Sequence, residues 1–124
     1  MREILFRGKR NNNGEWVYGN LFIPDKKDTP AQICVGTSSV RITYDINPST
    51  IGQYTGSTDK NDKKIFEGDI VKSYNGHIGW VEFRSNTFVK RCYCHLFGNA
   101  IHGDDQIVIG NIYDNPELLR SDTE

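Results

Sequence analysis

The sequence predicts an all-β protein, and three features of its pattern support that fold class. Short segments rich in β-branched and aromatic residues recur along the 124-residue chain. Glycine and asparagine turn signals separate them at intervals of about 8 to 12 residues, a spacing typical of all-β sandwiches and barrels. No segment shows a convincing helical repeat of apolar residues. We therefore predict an N-terminal β-hairpin or meander packed on a small C-terminal β-barrel, with one short helical turn at the end.

The first predicted hairpin occupies residues 1–23. A short strand at residues 3–7 and a longer one at residues 15–23 flank a polar turn that ends in Asn13-Gly14. Asn-Gly between two apolar runs is the strongest short-range hairpin signal, because both residues accept a positive φ.

Two further strands are expected before the middle of the chain, at residues 32–36 and 39–44. The proline-bounded segment 24–30 before them has the composition of a surface loop. The connector at residues 45–50 is the predicted boundary between an N-terminal β region, residues 1–50, and a barrel region, residues 51–124.

Residues 51–71 form the stretch around which the rest of the chain is organised. Two apolar runs flank a charged turn centred on Asn61-Asp62. Gly68 tolerates a sharp backbone conformation, and the Asp69 carboxylate can accept backbone N–H bonds at the start of the next strand. The predicted structural turn positions of the barrel region are Gly52, Gly56, Gly68, Asp69 and Gly76.

The acidic residues of this stretch suggest either a calcium or catalytic cluster or a solvated turn. They are Asp59, Asp62, Glu67 and Asp69. Three lysines are interleaved with them, and the spacing does not give oxygen ligands at alternate positions with a terminal glutamate, as a calcium loop requires. The pattern therefore favours a solvated turn of mixed charge.

The remaining strands follow at short intervals. Asn75-Gly76 predicts a second sharp hairpin, residues 87–94 a further strand and residues 106–113 the last strand. Pro116 suits the first position of a closing helical turn. The order of a Gly-Asp-Ile-Val strand, a turn and a Gly-x-Val-Glu-Phe strand resembles that of SH3-like barrels, so we predict that fold for the barrel region.

Charge and cysteine content exclude several classes of protein. A formal net charge of −1 argues against a protein that coats nucleic acid. Three cysteines without a secretory signal indicate reduced thiols in a cytoplasm, and no apolar run is long enough to span a membrane. The N-terminus is basic and the last twenty residues are acidic, so the two ends could attract each other within the fold or between subunits.

An ordered set of motifs resembles the YopX family of phage and prophage proteins. The motifs are REILFR at residues 2–7, IGQYTG at 51–56, DKN at 59–61, IFEGDIV at 65–71 and VIGNIYDNPELL at 108–119. The resemblance implies a phage-encoded protein in the cytoplasm of a bacterial host, with an SH3-type barrel in its C-terminal half. It implies no catalytic residue and no cofactor.

Cysteine and histidine side chains leave two catalytic or metal-binding alternatives open. Cys92, Cys94 and His95 form a Cys-x-Cys-His motif, with His102 and Cys34 as further potential zinc ligands. The usual Cys-x₂-Cys pairs are missing, and His95 would point away from both thiols on a strand. A thiol nucleophile would need a base and an orienting carboxylate, and no recognised motif surrounds either cysteine. We predict neither a metal nor an enzymatic activity.

Binding to single-stranded nucleic acid is the stronger rival interpretation. Small β-barrels use exposed aromatic and basic side chains for this purpose. The candidate contact residues are Arg84, Phe88, Lys90, Arg91 and Tyr93. Alternation puts Phe88 and Lys90 on one face, which weakens assignment of Phe88 to the core.

The preferred interpretation is a non-enzymatic interaction module that associates with itself. The aromatic-rich strand at residues 16–22 could be covered by a neighbouring subunit. The partners expected are therefore a second copy of the chain and an unidentified host or phage protein, with nucleic acid less favoured and no membrane.

Overall fold

The predicted all-β architecture is confirmed by the structure, a computed structural model that describes residues 3–37, 39–84, 86–91, 99–100 and 105–120. Its strands are antiparallel wherever a register is defined. They are β1 (Phe6–Lys9), β2 (Trp16–Phe22), β3 (Gln32–Gly36), β4 (Arg41–Asp45), β5 (Gly52–Thr58), β6 (Lys64–Phe66), β7 (Asp69–Ser73), β8 (Ile78–Arg84), β9 (Thr87–Arg91), β10 (Asn99–Ala100) and β11 (Gln106–Asn111). A 3₁₀ turn at Pro48–Thr50 and the short helix α1 (Glu117–Arg120) complete the described elements.

The chain divides into two compact units, residues 1–54 and 55–124. The division falls inside β5, which begins in the first unit and ends in the second. Each unit has a hydrophobic core of its own. No helix within the described residues is long and apolar enough to cross a membrane.

The N-terminal hairpin is confirmed as β1 and β2, although its first strand lies at Phe6–Lys9 rather than at residues 3–7. Phe6 lies opposite Gly19 and Lys9 opposite Trp16, and Gly14 takes a positive φ of 74° in the turn between them. The strands predicted at residues 32–36 and 39–44 are also present, as β3 and β4. The first unit therefore has the strand order β4-β3-β2-β1-β5.

The end of β4 turns back onto the end of β1. Arg10 bridges Ile46, and the Asn11 N–H donates to the Asp45 carbonyl oxygen at 3.1 Å. On the other side of the bridge, the Asn47 N–H donates to the Lys9 carbonyl oxygen at 2.9 Å. Among the residues that the structure describes, only the last residues of β4 gain this second partner, and the strand otherwise lies at the edge of the sheet.

The first core forms where these strands enclose one face of the sheet. Ile33 and Ile46 are fully buried and Ala31 nearly so. The partly buried side chains packed against them are Phe6, Val17, Leu21 and Ile51. Val17 and Leu21 alternate with the exposed Tyr18, Asn20 and Phe22, so only one face of β2 packs on the core.

Gly19 is required by the close approach of β2 and β3. A Cβ atom at this position would overlap the carbonyl oxygen of Cys34 and lie 3.2 Å from Cγ2 of Ile33. Because the obstruction is backbone rather than the end of a flexible side chain, a larger residue forces the two strands apart. Gly19 therefore meets a packing constraint within a continuous strand.

The second unit contains a five-stranded sheet with the order β10-β9-β8-β7-β11. The predicted hairpin at Asn75-Gly76 joins β7 to β8, with Gly76 at a φ of 92°. A further turn precedes β9, with Asn86 in the left-handed region at a φ of 66°. The shorter strand β6 lies beside β5.

The second core is built on β-branched residues. Ile65, Val71 and Val81 are buried, and Phe88 and Val108 pack against them. The last strand ends at Asn111 rather than at residue 113, because residues 112–114 form a turn that leads into α1. Leu119 of α1 is buried. The SH3-like closure of this sheet stays a prediction.

We expect Gly19→Ala to lower the free energy of unfolding by about 1 to 3 kcal/mol, the range for overpacking a tight contact. Urea denaturation followed by circular dichroism measures the change. Asn20→Ala is the matched control, because Asn20 is the next residue of β2 and is exposed. Equal stability of the two variants would contradict the packing role of Gly19.

Candidate interaction surfaces

The open edge of β4 is the first candidate surface. The Val40 carbonyl accepts the Thr37 N–H at 2.9 Å, and the Ile46 N–H donates to the Ala31 carbonyl at 3.0 Å, so residues 40 and 46 both face β3. Facing positions alternate along an antiparallel strand, so the backbone groups of Arg41 and Thr43 point away from β3. They lie on the side where the sheet order ends.

Apolar side chains are exposed beside this edge. Val35 lies opposite Ile42 in the β3–β4 register, on the same sheet face as the buried Ile33. Val35 is 37% exposed, Ile42 55% and Val40, which precedes the strand, 72%. We name Val35, Val40 and Ile42 the β4 strip. The sheet face that carries the first core is therefore exposed to solvent at Val35, Val40 and Ile42.

A polar pocket lies where the end of β4 meets the β1–β2 turn. Its volume is about 270 Å³, and its lining residues are Arg10, Asn11, Asn12, Thr43, Tyr44 and Asp45. The Arg10 guanidinium lies 4.6 Å from the Tyr44 ring centroid, and an Asp45 oxygen accepts a 2.9 Å bond from Gln32 Nε2. The pocket is slightly smaller than typical ligand pockets, and its wall is polar rather than apolar.

The basic N-terminal segment is held against aromatic rings of the first unit. Arg7 is only 5% exposed, and its guanidinium carbon lies 4.6 Å from the Trp16 ring centroid. The Lys9 ammonium lies 5.7 Å from the same ring. Both cations are within cation–π range, and the burial of Arg7 weakens the expected attraction between oppositely charged chain ends.

Asp59 corrects the solvated-turn prediction, because its carboxylate is buried and anchors three backbone groups. Its oxygens accept N–H bonds from Asn61 at 2.8 Å, Lys63 at 2.9 Å and Val108 at 2.9 Å. Asp59 is 5% exposed. The bond to Val108 joins the charged turn to β11, so this carboxylate fixes the loop to the last strand.

Burial by itself raises the pKa of Asp59. The N–H bonds from Val108, Lys63 and Asn61 and the charge of Lys63 outweigh that effect and hold the pKa below its ordinary value. The carboxylate is therefore ionised and fully engaged near neutral pH. Its chemistry is that of a structural acceptor rather than of a general base.

The predicted turn positions have mixed outcomes. Gly56 and Gly68 take positive φ values of 89° and 93°, and an Asp69 oxygen accepts the Phe66 N–H at 2.7 Å as predicted. Asp69 is also buried, so it too departs from the solvated-turn prediction. Gly52 was wrongly placed in a turn, since it is a buried residue of β5 opposite Arg7 of β1. Gly56 likewise lies within β5, where it makes a local irregularity.

The candidate nucleic-acid residues that the structure describes are engaged within the second unit. Arg91 contacts Glu82 at 2.9 Å and Arg84 contacts the same carboxylate at 3.3 Å. Lys90 Nζ donates to Gln106 Oε1 and to the His77 carbonyl, both at 2.9 Å.

The aromatic members differ in what the structure shows of them. Phe88 packs against the second core, and its ring centroid lies 5.0 Å from that of Phe83. Phe88 and Lys90 do share a face, since their partners on β8 are Phe83 and Val81. Tyr93 lies outside the described residues.

Most of the predicted thiol and imidazole candidates also lie outside the described residues, namely Cys92, Cys94, His95 and His102. Cys34 is described, and its Sγ atom lies 3.8 Å from Thr43 Oγ1. Within the described part of the chain, no group of three or more His, Cys, Asp or Glu residues could hold a metal ion.

Comparison with known proteins identifies the family of this chain. The model of the YopX protein family matches residues 5–120. The chain belongs to the YopX family. A solved relative in fold is the crystal structure of protein EF1440 from Enterococcus faecalis, with 24% sequence identity and a TM-score of 0.60, covering 96% of this chain and 99% of that one. At that identity the likeness concerns the fold alone. Among curated proteins, none matches the sequence.

We expect Asp59→Asn to destabilise the protein by about 1 to 3 kcal/mol, because an amide offers one acceptor oxygen where the carboxylate serves three N–H donors. Urea denaturation at pH 7 measures the loss. Asp62→Asn is the control, since Asp62 is exposed in the same turn and asparagine tolerates its φ of 67°. Loss of equal size in both variants would contradict the anchoring role.

The same carboxylate predicts part of the acid sensitivity. Because the folded-state pKa of Asp59 is lowered, its contribution to stability is fully present above the unfolded-state pKa of about 4. That contribution is lost as pH falls from there through the lowered pKa. We expect the stability difference between the native protein and Asp59→Asn to shrink over this window. A constant difference down to full protonation would contradict it.

Proposed function

We propose that this YopX family chain is a non-enzymatic interaction module that associates with itself. The observation that carries the proposal is the β4 strip beside an open strand edge. An exposed edge presents unpaired N–H and C=O groups, and proteins that remain monomeric usually blunt such edges. Here the edge is bordered by exposed valine and isoleucine side chains.

Exposed aromatic residues on β2 support the role of an interaction module. Tyr18 is 46% exposed and Phe22 53% exposed, and Ile23 just after the strand is 64% exposed. Tyr18 and Phe22 share the sheet face opposite to the core residues Val17 and Leu21. These two aromatic side chains, with Asn20 between them, are available to a contact surface.

The setting and the further partners belong to the proposal and rest on the family resemblance. We place the protein in the cytoplasm of a bacterial host, encoded by a phage or prophage. An unidentified host or phage protein would be a second partner. The chain would act without a cofactor, by contact alone.

The first test is the mass of the native protein in solution. We expect multi-angle light scattering to give twice the mass of one chain, or an even multiple, at high micromolar concentration, and a lower average mass on dilution. The mass of a single chain at every concentration up to the high micromolar range would refute self-association.

Nucleic-acid binding is the rival function, and the observed ion pairs make it less favourable. Glu82 lies between Arg84 and Arg91, so a phosphate would have to displace an existing contact. We expect fluorescence anisotropy with a labelled single-stranded oligonucleotide at low salt to show no binding. Binding that weakens steeply with salt and disappears in an Arg84→Gln, Arg91→Gln double variant would favour the rival.

A further inference from the structure

We propose that two copies of this chain pair through β4 in antiparallel fashion, with the two-fold axis at Ile42. The inference rests on the proposed self-association and assigns it a surface and a register. The pairing extends the first sheet of each copy across the axis, so that β3 and β4 of one copy continue into β4 and β3 of the other.

The register follows from the backbone groups that face outward. Antiparallel strands exchange hydrogen bonds between outward-facing residues, and on β4 these are Arg41 and Thr43. Asp45 is less suitable, because its carbonyl already accepts the Asn11 N–H. When Arg41 of each copy pairs with the partner's Thr43, the outward N–H and C=O groups of both residues are hydrogen-bonded in both copies. This pairing places Ile42 opposite its own copy at the axis.

One face of this paired ribbon is mainly apolar, with Arg10 against the Tyr44 ring at each end. Ile42 would face the partner's Ile42, and Val40 would face the partner's Tyr44, with Val35 as the next neighbour within each sheet. Cross-strand pairs of β-branched and aromatic side chains stabilise antiparallel ribbons. The register therefore covers the β4 strip, whose three residues are exposed apolar side chains of the first unit.

The opposite face carries complementary charge. Arg41, Thr43 and Asp45 alternate along β4 and point to the same side. In the proposed register Arg41 lies diagonally across from the partner's Asp45, at a Cα separation of about 7 to 8 Å that a long side chain spans. The two-fold axis generates this pair twice. A strand with a cation near one end and an anion at the other is complementary to an antiparallel copy of itself.

This complementarity favours a second copy over an unrelated strand. The interface is small, and contacts below about 1,200 Å² are usually weak and transient. We therefore expect association in the micromolar range. The exposed aromatic residues of β2 would remain available to a different partner.

A cysteine at the axis tests the register directly. Opposed residues of a non-hydrogen-bonded antiparallel pair have Cα atoms about 4.5 Å apart, which suits a disulfide. We expect Ile42→Cys to form a disulfide-linked dimer under mild oxidation, with peptide mapping showing position 42 joined to itself. Tyr74→Cys is the control, because Tyr74 is 87% exposed in the second unit and should not cross-link in the same way. No linkage at position 42, or equal linkage in both variants, would overturn the proposed axis.

A charge exchange tests the diagonal pair. Arg41→Asp and Asp45→Arg should each weaken dimerisation about tenfold, since each replaces two attractive pairs by repulsive ones. The double variant should return the dissociation constant to within about threefold of the native value. Additive weakening in the double variant would overturn the proposal. Circular dichroism spectra of all three variants should match the native spectrum.

The outcomes separate this inference from the proposed function. If the native protein is monomeric, self-association and the β4 pairing both fail. Suppose instead that the protein is oligomeric, that Ile42→Cys does not cross-link specifically, and that the charge variants do not change dimerisation as expected. The β4 pairing then fails while self-association stands. Tyr74→Lys, which alters an exposed apolar residue of the second unit, should leave the dimer intact.

Discussion

The hydrogen-bonding demand of the β4 backbone is the constraint on which the functional interpretation depends. Every N–H and C=O group of a strand must be paired or hydrated. Within the described segments of the chain, β4 meets that demand on one side with β3, and on the other only near its end, where Arg10 bridges Ile46 and Asn11 bonds to Asp45. Residues 41 and 43 remain on the open side. An edge that is partly closed in this way defines which register a second strand can adopt.

In the second unit, by contrast, buried carboxylates accept hydrogen bonds from backbone N–H groups of the same chain. Asp59 accepts N–H groups from its turn and from β11, and Asp69 accepts the Phe66 N–H. A buried carboxylate engaged with backbone donors is held ionised and in one orientation. These side chains maintain the shape of the loops around the sheet, and the contact chemistry proposed for the chain lies in the first unit.

The sequence was most informative where structure is decided locally. Asn13-Gly14 and Asn75-Gly76 predicted two hairpins, because a turn signal depends on residues close together in the chain. Which face of β2 is buried could not be predicted in this way, since Val17 and Leu21 rather than the aromatic Tyr18 pack on the core. The burial of Asp59 could not be predicted in this way. Its partner Val108 is 49 residues away, so the bond exists only once β11 has joined the sheet.

The candidate surface was also beyond the sequence, for a related reason. Val35, Val40 and Ile42 have the apolar character of core residues, and only the sheet order places them past the end of the core. The contact of Arg7 with Trp16 likewise follows from the pairing of β1 with β2. It buries a cation that the composition of the N-terminus alone would place in solvent. Strand order and register depend on residues far apart in the chain. The sequence pattern of β4 alone therefore does not show that it is an edge strand.

Amide hydrogen exchange measured at several protein concentrations tests the central claim most directly. The N–H groups of Ile42 and Tyr44 face β3 and should be protected at every concentration. The N–H groups of Arg41 and Thr43 face outward, and we expect their protection to increase as the protein is concentrated and the edges pair. Exchange at Arg41 and Thr43 that stays fast and independent of concentration, in a sample shown to be oligomeric, would contradict association through β4.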